Sequence, residues 1–255
     1  MSLLNREFFL KISPVGYLLV FFITVLNLSQ FALASSNKHP NDDHFDMYDA
    51  IDLIDQKKYG DAKNILLKEE KKITSISQLC TIYNSMLAIA SITNNDSDGS
   101  RYAELLKKCY KEGSNPYVFL EARVSYFEGD YEKTDQIIDK LLKKISNELV
   151  EGEKIELHNV MDKNILSSIY VLKASILLIK NKPEKVKREV VYFAKKAYEV
   201  MPIDDNNEFL AAVYRLYGDT AKSNLLIDKS NNKTSESYVI DAILNSIKQK
   251  KDTIR

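Results

Sequence analysis

The chain has 255 residues with 45% hydrophobic content, enough for one or two domains with a buried core. Only 7 Gly and 5 Pro stand against abundant Leu, Ile, Lys and Glu, which excludes a sandwich or barrel built on tight turns and points to long helices in an all-α fold. Lys and Arg together number 36, as do Asp and Glu, and the basic runs are short, so the chain lacks the cationic surplus of a nucleic-acid binder.

In chain order, Arg6 and Lys11 precede an apolar stretch from Val15 to Leu26, and Ala32-Leu33-Ala34 precedes Ser35. A cationic start, an apolar core and small residues at a cleavage site form the layout of a secretory signal peptide over residues 1–34, cut after Ala34. The expected location is the periplasm or the exterior, with no membrane insertion after cleavage. The competing reading is an inner-membrane anchor over residues 12–34, which is long enough to span but is interrupted by Asn27, Ser29 and Gln30. Residues 35–45 are polar, carry Pro40 and have no period, so they read as a flexible linker. His39, Asp42, Asp43 and His44 within it lack a metal-binding spacing.

Residues 46–230 hold a recurring pattern. Runs starting at Ala50, Ala122, Ala174 and Ala211 each reach a turn-prone Lys57, Gly129, Asn181 or Gly218 and then start a second periodic run. Within the second runs Ala62, Thr134, Val186 and Ser223 stand at one shared distance from the Ala. Two antiparallel helices approach closely where small side chains face each other, so the pattern predicts helical hairpins. Ala88 pins a fifth hairpin between Ala50 and Ala122, with a longer turn that moves its partner to Ala103. Cys80 and Cys109 fall at similar heights on the two arms of that hairpin, and an oxidising compartment would permit a disulfide between them; two buried free thiols are the alternative.

Gly129-Asp130-Tyr131-Glu132-Lys133, Gly218-Asp219, Tyr59 with Ala62, and Ala197 to Pro202 carry a resemblance to tetratricopeptide repeats, whose unit is about 34 residues. The repeats are degenerate: the chain has no Trp, and the family's large aromatic and Leu positions survive only as Tyr170, Leu87 and Leu210. The resemblance implies a right-handed α-hairpin solenoid of about five units, with residues 146–166 as an insertion. Residues 231–255 would follow as a C-terminal capping helix and tail, with Tyr238, Ile240, Ile243, Leu244 and Ile247 on one face closing the last hairpin.

Catalytic groups are sparse. His39, His44 and His158 are the only histidines, there is no glycine-rich phosphate loop, and the cysteines form no C-x-x-C pair, so the expectation is a non-enzyme without metal or cofactor. An envelope hydrolase with its site in the 146–166 insertion is the remote alternative. The resemblance instead implies a scaffold or adaptor that takes a protein or peptide partner in an apolar concave groove. Carried over by position, the groove residues are Met47, Ile51, Asp55, Ser85, Ile89, Phe119, Arg123, Tyr126, Phe127, Val171, Leu178, Glu208 and Arg215. A membrane-anchored accessory subunit of an envelope complex is the second reading.

Overall fold

The computed structural model describes residues 47–151, 160–227, 245, 247, 248 and 250–252. The signal segment 1–34, the linker 35–45, His158 and most of the C-terminal helix lie outside them. Every regular element among the described residues is helical. The helices are α1 (Met47–Asp55), α2 (Tyr59–Glu70), α3 (Ile76–Ile92), α4 (Asp96–Lys107) and α5 (Asn115–Phe127). They continue with α6 (Tyr131–Glu151), α7 (Val160–Lys180), α8 (Lys187–Val200), α9 (Asp204–Leu216) and α10 (Thr220–Ile227). None is long and apolar enough to cross a membrane; the 12–34 stretch lies outside the described residues.

Helices pack with their neighbours in sequence. α1 pairs with α2, α3 with α4, α5 with α6, α7 with α8 and α9 with α10, and the second helix of each pair packs on the first of the next. α5 also touches α7. One apolar core runs through all the pairs. Ala50, Ala122, Ala174 and Ala211 are fully buried in it, as expected where two helices must approach closely, and Ala88 is fully buried as well.

Four of the five pairs turn in the same way. Lys57, Asn94, Gly129 and Gly218 each adopt positive φ, at 62°, 51°, 79° and 79°. The residue after each donates its N–H five places back: Lys58 to Leu53, Asn95 to Ala90, Asp130 to Ser125 and Asp219 to Tyr214, at 2.7–2.9 Å. The left-handed residue itself donates three places back, to Ile54, Ser91, Tyr126 and Arg215. This is the Schellman closure, which satisfies orphan carbonyls at a helix end and reverses the chain in three residues. The residue that ends one helix then begins the next: Asn95, Asp130 and Asp219 accept from the N–H groups of Asp98, Lys133 and Lys222.

Those turns fix the register and correct the second hairpin. Counting back from the left-handed residue, the place of Ala50, Ala122 and Ala211 falls on Leu87, not Ala88. Counting forward, the place of Ala62, Thr134 and Ser223 falls on Gly99, not Ala103. The stretch expected to be a long turn is the first turn of α4, because Asn95 caps it. In the fourth pair Asn181 is not left-handed, and a short 3-10 turn (Pro183–Lys185) intervenes before α8. The fully buried slim residue of α8's first turn is therefore Val190, one turn beyond Val186.

Of the expected insertion at 146–166, residues 152–159 lie outside the described residues. Residues 146–151 continue α6 and residues 160–166 begin α7, and Asn164 and Leu166 are buried there. Further along α7, Ser167 accepts from the Asn206 amide at 2.9 Å, and the same amide donates to the Ala197 carbonyl, knotting α7, α8 and α9. Cys80 and Cys109 are bonded to each other with Cα atoms 6.0 Å apart, closing the open end of the α3–α4 pair opposite its turn.

Candidate interaction surface

The residues expected to line an exposed groove divide into core and rim. Met47, Ser85, Ile89, Phe119, Arg123, Tyr126, Phe127, Val171 and Leu178 are buried. Ile51, Glu208 and Arg215 are half-buried, and the side chain of Asp55 is outside the described set. The correction has a simple cause: most of these helices carry apolar residues nearly all round, and neighbouring pairs close on them. Tyr126 packs edge-on against Phe127 and Tyr131, at 5.8 and 5.6 Å between ring centroids. Most of these side chains are thus interior packing, and Tyr126 keeps only the ring face that Lys250 meets, 4.8 Å from its centroid.

Arg123 is the most unusual of these residues. It is 5% exposed, its guanidinium donates to Ser91 Oγ at 2.8 Å and lies 5.3 Å from the Phe127 ring centroid, and no carboxylate among the described residues pairs with it. Burial pushes its pKa down to about 10. Burial also pushes the phenols of Tyr102 and Tyr131 up to about 12 and that of Tyr126 well above its ordinary value.

These shifts predict alkaline unfolding. A phenol whose folded pKa is raised contributes stability that is complete below the unfolded value of about 10 and is lost as pH climbs through the folded value. Arg123 acts in the opposite direction, because its folded pKa is lowered, but it is one group against several. Stability should fall between about pH 10 and 12, with the phenolate absorbance of the buried tyrosines appearing only on unfolding. Tyr102→Phe should shrink the fall at no cost near neutrality, since the Tyr102 hydroxyl is buried without a hydrogen-bond partner. Denaturant titrations across that range check both statements.

Between α6 and α7 lies a polar seam. Lys173 donates to Asp135 at 2.7 Å and to Asp139 at 2.5 Å, while Lys180 donates to Asp135 at 2.9 Å and to Glu132 at 2.8 Å. The carboxylates recur along one face of α6, opposite two lysines spaced two turns apart on α7. Burial alone would raise the pKa of Asp135, but hydrogen bonds and charge from Lys173 and Lys180 outweigh it and hold the carboxyl below its ordinary value.

A second polar place lies where the pairs turn. Gly129, Asp130, Tyr131 and Glu132 of the α5–α6 turn face Ile179 to Lys182 at the end of α7 across a cleft of about 500 Å³, and Lys251 enters its wall. The described C-terminal residues are helical and lie on this part of the molecule. Ile247 is buried in the core. Lys250 pairs with Asp96 at 2.8 Å and stands 4.8 Å from the Tyr126 ring centroid. Lys251 donates to the Asn181 carbonyl at 2.6 Å.

Tyr238, Ile240, Ile243 and Leu244, expected to close the last hairpin, lie outside the described residues. The described residues after them reach the middle of the array, where Asp96, Tyr126 and Asn181 offer a carboxylate, an aromatic face and a helix-end carbonyl. These contacts are modest. Burying Ile247 contributes about 2 kcal/mol, and the ring and ion-pair contacts of Lys250 add about 1 kcal/mol each at best, because Asp96 stays half-exposed at 49%. Ordering the lysine side chains offsets part of this gain, so the segment is held but can be displaced.

Among the described residues no group of three or more His, Cys, Asp and Glu side chains could hold a metal ion. His39 and His44 lie outside those residues. Sequence reasoning missed Gly99, Asp96 and Asn181. Gly99 sat inside an apparent turn, and the other two matter only through a segment far away in sequence. Comparison with protein families, with curated proteins and with solved structures finds no match to this chain.

Proposed function

We propose that the chain is an exported scaffold, a right-handed solenoid of five tetratricopeptide-like hairpins that holds a protein or peptide partner and catalyses no reaction. The repeating capped turns and neighbour-to-neighbour packing support the solenoid reading. The observation that carries the binding reading is the face at Asp96, Tyr126 and Asn181, which meets Lys250 and Lys251 of a helical segment with a carboxylate, a ring and a backbone carbonyl. Because the first-helix residues are filled with core, this face replaces the apolar groove as the place where a partner would sit.

Two measurements test the proposal. Affinity capture from an envelope extract should recover a partner with the native chain and lose it with Asp96→Arg combined with Glu132→Arg, at unchanged helix content. Equal recovery by both chains sinks the face. N-terminal sequencing should find Ser35 first; an intact Met1 start would favour the anchored accessory subunit.

A further inference from the structure

Ile247, Lys250 and Lys251 stand three and four residues apart, so a helix puts them on one side. Each meets a group that would serve any chain offering the same side chains. The aliphatic residue enters the core, the first lysine meets the Asp96 carboxylate and the Tyr126 ring, and the second meets a carbonyl left open at the end of α7. The side chain of Lys250 is only 11% exposed, so this is a formed seat and not a passing surface contact. The residues it joins are 154 and 70 positions apart, so the seat exists only in the folded chain. Beside Lys251 the cleft still has room, with Asp130 and Glu132 on its wall.

We propose that the C-terminal stretch carrying Ile247, Lys250 and Lys251 is a built-in occupant of the partner site. It shuts the site in the free protein, and the partner that replaces it is a basic amphipathic helix with an aliphatic residue followed three and four places later by lysines. The proposal rests on the scaffold reading and adds the chemistry of the partner and a means of regulating access. A tethered segment competes at high effective concentration, so a free helix of equal intrinsic affinity binds poorly until the tether is released.

The probe is a fluorescent synthetic peptide of residues 238–255, titrated into the full chain and into the full chain carrying Ile247→Asp with Lys250→Glu. The released variant should bind the peptide at least about tenfold more tightly than the native chain, the change that removal of a competing tether produces. Adding Asp96→Lys should abolish that binding. No binding to the released variant, or equal binding to both chains, overturns the proposal. Hydrogen exchange on the native chain supplies an arm that needs no variant. That C-terminal stretch should open more readily than α5 and α7 but more slowly than an unfolded peptide. Exchange at the unfolded rate, or only with global unfolding, also overturns it. Loss of the peptide result with partner capture intact would overturn the occupant and leave the scaffold; the reverse outcome would remove the scaffold alone.

Discussion

Removing the Cys80–Cys109 bond, by reduction or by Cys80→Ala with Cys109→Ala, is expected to lower stability by about 3–4 kcal/mol. The bond joins residues separated by 29 positions and holds the ends of a hairpin whose other end is already closed by the turn at Asn94. Loop closure of that length accounts for the figure through the unfolded chain, which loses freedom when cross-linked. Alanine is the better replacement because Cys80 and Cys109 are partly buried against the core, where a serine hydroxyl would need a new partner. Denaturant titration with and without reductant measures the effect. A midpoint that falls with little change in the native helical signal agrees with the prediction; an unchanged midpoint contradicts it.

Gly99→Leu should cost about 3 kcal/mol, near the upper end for overpacking. Gly99 lies in the first turns of α4, where glycine is a poor helix former and even alanine would ordinarily be favoured by about 1 kcal/mol. Geometry reverses that preference. A Cβ at Gly99 would come within 2.5–2.8 Å of three ring atoms of Phe127, and that ring is buried between Tyr126, Arg123 and the core. The ring base as well as its edge would have to move, so Gly99→Ala should also destabilise. Phe127→Leu in the same chain should recover much of the Gly99→Ala loss, giving a coupling that two independent sites would not show. Thermal unfolding of the two single variants and the double variant decides it.

The same pair of helices shows how far local sequence reaches. Ala50, Ala122 and Ala211 could be aligned because a capped turn follows each at one fixed distance, and a turn is specified within a few residues. Seven places before Asn94 stands Leu87, a large residue beside the small Ala88, and five places after it stands Gly99. The pattern there placed the small partner four residues late. In the fourth pair a 3-10 turn stands where the Schellman closure stands elsewhere, and Val190, one turn beyond the buried Val186, is the fully enclosed residue.

Burial of the first-helix residues was illegible for a different reason. A position in a repeat says which way a side chain points relative to its own helix, but not whether the next pair closes over it. Arg123 reads as a surface anchor by type, yet it ends beneath Phe127 with Ser91 as its partner. The heights of Cys80 and Cys109 could be counted along two arms, whereas their facing depended on how α3 rotates against α4.

By itself, then, the sequence determined the helical class, the pairing of neighbouring helices and most of the turns, because periodicity, caps and left-handed residues act over a few positions. Only the tertiary structure decided which apolar faces vanish into the core, that Gly99 must admit the ring of Phe127, and that Lys250 returns to Asp96. Those are contacts between distant segments, fixed by packing volume and by which charges meet, and no local pattern encodes them.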